Sequence, residues 1–273
     1  MYNIYIMDRN FEIIQSLKRK IFLSLRDNPR ISLKDISLLS GFSIKHTQEL
    51  FFKQNKITIG KYVKKILLSK AALLLVLTRK RIIDISLDTG FSSQQSFNRA
   101  FKKEFSLPPM RYRKRGIIDC KKLISELKSD KKFIYIGEEY LSSIKISATF
   151  IRFKDNVLTS ENVMIQKKRL LKIKSSLSKT NHIIIISSIQ PMESRDNKIY
   201  INSFFCSPIE TGEEITTVEG MYHKIRFKGT LDDYINIGRN IVFYIKIPFS
   251  LKVIEEFKIN KKKLDINIYI PKK

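Results

Sequence analysis

The chain is poor in the residues that disulfide and metal chemistry need. It has two cysteines, Cys120 and Cys206, far apart and in no CxxC pattern. A disulfide framework therefore has no basis, and the pair reads as separate core or surface thiols. The three histidines, His46, His182 and His223, show no HxxxH or HExxH spacing, so a metal site lacks its usual ligand pattern. No cofactor is expected. Long hydrophobic runs are missing too: runs such as 73–77 and 183–186 fall far short of the ~20 residues that cross a bilayer. The first nine residues hold no basic segment ahead of an apolar core. No signal peptide and no membrane partner are expected, and the cytoplasm is the expected location. No Ser-His-Asp or Cys-His constellation stands out, so the chain does not read as an enzyme.

Negative charge is also scarce. Asp and Glu number 26 against 52 Lys and Arg, for a net charge of +26 and a pI of 10.0. A field of that sign attracts polyanions, nucleic acid first. Abundant Lys, Ile and Asn also arise in AT-rich genomes, so the distribution matters more than the total. Residues 1–116 hold 24 basic against 8 acidic residues, net +16, and residues 117–273 hold 28 against 18, net +10. The shorter segment is the more densely charged.

Hydrophobic residues make up 43% of the 273 positions, enough for two packed domains. Phe11, Ile14, Leu17, Ile21 and Leu25 recur at helical spacing, and Asn28-Pro29 ends that helix. Ser32 with Asp35 three residues on reads as a capping-box start. Helical patterning runs to about 106 and closes at Pro108-Pro109. Residues 117–132 read as a linker with a short helical piece. From 133 onward β-branched and aromatic runs predict strands at 133–136, 144–153, 183–189, 199–206, 220–227, 251–258 and 264–270, with helices at 159–177 and 231–244. The fold class is thus multidomain: an all-α domain over 1–116, then an α+β domain with an antiparallel sheet over 133–273. In the latter, strand-helix-strand-strand occurs twice, the second time from Gly220.

The all-α part contains a repeat. Ile36-Ser37-Leu38-Leu39-Ser40-Gly41-Phe42-Ser43 matches Ile85-Ser86-Leu87-Asp88-Thr89-Gly90-Phe91-Ser92, and further on Phe51 matches Phe101 and Tyr62 matches Tyr112. Each copy suits a helix-turn-helix: an isoleucine seats the first helix, a glycine takes φ > 0 at the turn, and a phenylalanine plugs the corner. A serine, Ser43 or Ser92, then caps the second helix. In the second copy Phe97, Phe101 and Phe105 lie four apart and face inward, leaving Gln94, Gln95, Asn98 and Arg99 outward. Amide side chains pair with adenine and arginine with guanine or phosphate, while Lys102 and Lys103 suit the DNA backbone.

The run Ser92-Ser93-Gln94-Gln95-Ser96-Phe97-Asn98-Arg99-Ala100-Phe101-Lys102-Lys103-Glu104-Phe105, followed by Pro108-Pro109 and Tyr112-Arg113, resembles the AraC/XylS signature. Within that family it is most similar to the MarA–SoxS–Rob group, and to its Rob-like arrangement with the DNA-binding part first. The resemblance implies two helix-turn-helix units joined by a long helix at 59–77. It further implies a monomer that touches successive major grooves, double-stranded DNA and RNA polymerase as partners, and an activator's role. It assigns DNA contact to Lys45, Gln48, Gln94, Gln95, Ser96, Asn98, Arg99 and Lys102. The first recognition helix departs from its relatives, which carry tryptophan where Lys45 stands and arginine where Glu49 stands. Altered or weaker readout is expected there, with the second helix carrying more.

Residues 133–273 resemble the GyrI-like effector-binding domain. The doubled strand order and the closing run Leu264-Asp265-Ile266-Asn267-Ile268-Tyr269-Ile270-Pro271 carry that likeness. Relatives place a glutamate at the position of Asn267, in a cleft facing cationic or amphipathic ligands. An amide there weakens the case for a cation. Asn267, Tyr269 and Tyr222 are the candidate effector contacts. Phe227, Tyr234, Phe243 and Tyr244 could line such a cleft, though aromatics at these spacings are more often core. The acidic pairs Glu213-Glu214 and Asp232-Asp233 read as solvated turn and helix-start charges. Two other readings stay open: a low-specificity nucleoid or origin DNA binder, and a small-molecule-binding or hydrolytic C-terminal domain as the main activity.

Overall fold

The computed structural model describes residues 2–119, 121–124, 132–158, 163–193, 196–207, 212–237, 252–260 and 263–272. The chain divides into two compact units, one of residues 1–72, 81–111 and 122–126, the other of 73–80, 112–121 and 127–273.

The first unit is helical. Helix α1 (Tyr2–Asp27) buries Ile14, Leu17, Ile21 and Leu25 in a core shared with Ile36, Phe51, Tyr62 and Ile66, whereas Phe11, expected on the same face, is exposed. Helix α2 (Leu33–Ser40) begins with the expected capping box, Ser32 and Asp35 closing both ends reciprocally. Helices α3 (Ile44–Asn55), α4 (Ile59–Leu77), α5 (Ile82–Asp88), α6 (Gln94–Phe105) and α7 (Pro109–Arg115) follow along the chain, with the end of α4 and most of α7 counted in the other unit. Lys70 on α4 reaches back to donate to the Leu25 carbonyl at 2.6 Å, where α1 ends and its carbonyls lack helical partners. In the stretch expected as a linker, Ile118 and Leu123 are buried, and the Ile124 amide donates to Ser69 Oγ at 2.8 Å. Residues 120 and 125–131 of that stretch lie outside the described residues.

The second unit is built on an eight-stranded antiparallel sheet ordered β1-β6-β8-β7-β3-β4-β2-β5. Its strands are β1 (Phe133–Leu141), β2 (Lys145–Asn156), β3 (His182–Pro191), β4 (Lys198–Cys206), β5 (Glu213–Thr216), β6 (Gly220–Phe227), β7 (Val253–Asn260) and β8 (Lys263–Pro271). The helices are α8 (Val163–Lys179) and α9 (Leu231–Ile237). The doubled pattern is present as β2-α8-β3-β4 and β6-α9-β7-β8, meeting at the antiparallel β3–β7 pair. The leading strands cross over: β1 joins β6 of the second copy and β5 joins β2 of the first. β5 carries Glu213 and Glu214 and has no hydrophobic alternation to announce it, so those acids sit in an edge strand. The ends of three expected elements fall in 159–162 and 238–251, with Phe243 and Tyr244, and lie outside the described residues.

Strand alternation sorts the two faces. Ile183, Ile185, Phe257, Ile266, Ile268 and Ile270 pack with Ile173 and Leu177 of α8 and with Leu231 and Tyr234 of α9. Ile184, Ile186, Ile254, Tyr222 and Tyr269 form a second cluster with no helical member among the described residues. Phe227 and Tyr234 are therefore ordinary helix-side core. Glu255 points into the helix side, where Arg169 of α8 donates to it at 2.6 Å and the Tyr234 hydroxyl of α9 donates to it as well. Burial, together with the Glu255 charge, pushes the Tyr234 phenol well above its ordinary range. Removing one member of such a pair strands the other charge. Glu255→Ala is expected to cost about 3 kcal/mol, read as a lower urea midpoint. An unchanged midpoint would mean the pair contributes nothing to stability.

Candidate nucleic-acid interface

The two helix-turn-helix copies match, with one shift of register. Gly41 and Gly90 both take the left-handed conformation at the turn, φ +76 and +78, where a side chain would be strained. Ahead of the turn, Ile36 and Ile85 are buried 49 positions apart. Beyond it the equivalent pairs lie 50 apart. Ser43 caps α3 through the His46 amide and Ser93 caps α6 through the Ser96 amide. The closing residues, Lys56 and Ser106, are both left-handed. The cap expected at Ser92 therefore falls to Ser93: the second turn holds one more residue, which delays the start of α6.

The corners are sealed differently. In the second copy Phe91 packs edge-on to Phe97 at 5.4 Å, and Phe97, Phe101 and Phe105 stack in sequence down the buried side of α6. In the first copy a threonine, Thr47, takes the inward place, bonded to the Ser43 carbonyl at 2.9 Å and to Ser40 Oγ at 2.8 Å. Phe42 does not plug that corner. It is 37% exposed and lies against the His46 ring, because hydroxyl hydrogen bonds already fill the space.

With one side of each helix buried, the other must face out. Lys45, Gln48 and Glu49 of α3 are exposed, as are Gln95, Arg99 and Lys102 of α6. Gln94 and Asn98 are half-buried, and Asn98 Oδ1 is buried without a hydrogen-bond partner among the described residues. Ser96 is half-buried, and its hydroxyl donates to the Ser93 carbonyl at 2.8 Å. The structure thus brings five of the eight expected DNA contacts to open helix faces and turns Gln94, Ser96 and Asn98 partly toward the protein. Two exposed apolar groups went unread in the sequence, Ile44 and Phe52. They lie at helical spacing with Gln48 and carry no polar signal to mark them.

The second copy is held to its neighbours at three places. Glu104 of α6 pairs with Lys65 of α4 at 3.2 Å. Lys64 lies over the Phe91 ring at 5.9 Å. A Cβ on Gly90 would stand 2.8 Å from the Pro29 carbonyl oxygen, whereas one on Gly41 would meet nothing within 4 Å. The close approach fixes the second turn against the loop between α1 and α2.

In the sheet unit a cavity of about 390 Å³ is lined by Ile186, Phe204, Met221, Tyr222 and Ile254, with Lys252, Lys272 and Glu219 also on its walls. Of the expected effector contacts, Tyr222 lines it and donates to the Val218 carbonyl at 2.6 Å. Asn267 and Tyr269 are buried on the same sheet face and turn to a carboxylate that sequence reading missed. Glu256 of β7 stands directly across from Asn267. It accepts from the Tyr269 hydroxyl at 3.1 Å and from Asn267 Nδ2 at 3.4 Å, and pairs with Lys258 at 2.6 Å and His182 at 3.1 Å. Burial alone would raise its pKa, but Lys258 and the hydrogen bonds hold it below the ordinary range. An acid is thus present beside position 267, supplied by the neighbouring strand.

A family model described as a helix-turn-helix domain matches residues 36–115. Over 220 residues the chain is 31% identical to the F1 operon positive regulatory protein of Yersinia pestis, covering 80% of this chain and 72% of that one. It is 29% identical over 226 residues to the HTH-type transcriptional regulator YkgA of Escherichia coli, covering 77% and 90%. Over 88 residues it is 42% identical to the right origin-binding protein of Escherichia coli, covering 32% of this chain and 30% of that one.

The two turn glycines make a matched pair for a test. Gly41→Ala is expected to cost about 1 kcal/mol, the strain of a left-handed alanine. Gly90→Ala adds a clash with backbone and is expected to cost about 3 kcal/mol. Denaturation midpoints of the two variants check this; equal losses would show that the Pro29 approach constrains nothing.

Proposed function

The chain belongs to the AraC family of transcriptional regulators, and from that premise we propose that it is a sequence-specific activator reading one duplex with α3 and α6 in successive major grooves. A single observation carries the reading: two capped, repeat-related helices each bury one side in the protein and leave Lys45, Gln48, Gln95, Arg99 and Lys102 open to solvent. They sit in a segment of net charge +16, and phosphate neutralisation by such a segment supplies most of the attraction to DNA. The name of the Yersinia relative, a positive regulatory protein, supports activation, which in turn calls for RNA polymerase as a partner. The chain acts as a monomer, since two recognition helices on one chain suffice for two half-sites about one turn apart.

The sheet unit, read as a GyrI-like domain, binds a ligand or partner that modulates this activity. Its cavity, with Tyr222 on the wall and the Asn267–Glu256–Tyr269 group on the same face, supports a small amphipathic effector. The rival reading, a low-specificity nucleoid or origin binder, rests on the exposed acid Glu49 in α3. Genome-wide site mapping with the full chain separates the two, since the rival reading gives no recurring motif.

The activator reading predicts a recurring asymmetric site of about 20 bp. Affinity for it should fall steeply with salt and exceed that for random DNA by at least about a thousandfold. Arg99→Ala and Gln95→Ala should each weaken operator binding about tenfold. Unchanged affinity in both variants would remove α6 from the interface.

A further inference from the structure

We propose that Glu49 is a specificity-determining residue that selects cytosine in the half-site facing α3, so that the two repeats read bases of opposite hydrogen-bonding character. The proposal rests on the reading of α3 as a DNA-contacting helix.

The shared caps and the paired inward rings Phe51 and Phe101 give α3 and α6 a one-to-one correspondence at an offset of 50. Under it Lys45 takes the place of Gln95, Gln48 that of Asn98, Glu49 that of Arg99, and Phe52 that of Lys102. An acid and an aromatic ring thus replace two cations on the same helix face. Glu49 is exposed, and among the described residues no cation lies within salt-bridge distance of it. Other acids of this unit are held differently. Asp35 belongs to the α2 cap, Asp84 pairs with Arg81 at 2.8 Å, and Glu104 with Lys65 at 3.2 Å. Glu49 is left to meet whatever α3 meets.

A carboxylate only accepts hydrogen bonds. In the major groove guanine presents two acceptors, thymine an acceptor and a methyl group, and adenine a donor beside an acceptor, whereas cytosine presents its amino donor. An acid therefore repels guanine and is satisfied by cytosine, the reverse of an arginine at the same place. Phe52, 51% exposed where α6 has Lys102, gives up a phosphate-directed charge and offers an apolar surface suited to a thymine methyl. Helix α3 consequently gains little affinity and works by exclusion. A wrong base leaves the carboxylate desolvated and unpaired near phosphates.

Selection from a randomised duplex library by the full chain tests this, with Glu49→Ala, Glu49→Arg and Arg99→Ala alongside the wild type. The wild type is expected to yield two base blocks about one turn apart, with cytosine at one position of the α3 block. Glu49→Ala should flatten that position by about tenfold in preference and leave the α6 block intact, which also reports that the variant is folded. Glu49→Arg should turn the cytosine to guanine, and Arg99→Ala should erase part of the other block only. If Glu49→Ala leaves every base preference unchanged, or the wild type shows an α6 block alone, Glu49 does not read DNA. In the second case α3, with its exposed Ile44 and Phe52, faces a protein instead. If no motif emerges from the wild type, the sequence-specific reading itself fails.

Discussion

A helix can hide only one of its sides, and in the helical unit that limit decides what is offered to DNA. The ring column of Phe97, Phe101 and Phe105 is buried along α6. Aromatic side chains of that size bury so much apolar area that turning them outward would forfeit several kcal/mol. Gln95 and Arg99, on the side away from that column, are left to solvent, while Gln94 and Asn98 at its border are half-buried. The left-handed glycine at each corner sets where the helix begins, and the serine caps set its rotation. Together these choose Gln95 and Arg99 for the open face and draw Asn98 partly inward.

The repeats share this frame and differ in how they satisfy it. The second copy seals its corner with rings, the first with hydroxyls from Ser40 and Thr47. A hydroxyl network needs less volume, so Phe42 is left half outside and pairs with His46. The second turn also packs more closely on its surroundings, with Gly90 leaving no Cβ to strike the Pro29 carbonyl. Two sequences related by duplication can thus hold two helices in equivalent positions and present unlike chemistry, an acid and a phenylalanine against an arginine and a lysine.

In the sheet unit, consecutive glutamates show how far one residue of alternation reaches. Glu255 goes to the helix side, where Arg169 and Tyr234 hold it, and Glu256 to the opposite face beside Asn267 and Tyr269. Both charges are largely out of water, and each has cationic and hydroxyl partners that offset its desolvation. The β3–β7 pair joins the halves into a single sheet, and β1 and β5 each add an edge strand to the other copy. The surface around the cavity therefore draws on both copies.

Much of this was legible in the order of residues alone. Helix periods, the capping box at Ser32, the repeated Gly-Phe corner and most strands rest on interactions between near neighbours, and near neighbours are what a sequence displays. Of the four residues of α6 that helical spacing turned outward, Gln95 and Arg99 are open and Gln94 and Asn98 are half-buried, while Lys45 and Gln48, also open, were marked by the family likeness. The cap at Ser93 in place of Ser92 is local as well, since Ile36 and Ile85 stand 49 apart and Phe51 and Phe101 stand 50 apart. Two things depended on partners distant along the chain. Strand β5, with its paired glutamates, exists because β2 offers it an edge. The carboxylate beside Asn267 comes from β7, through a strand register that no spacing along the chain reveals. Local patterning determined which segments are helix or strand and which side of each is greasy; long-range packing decided which polar groups those sides bring together.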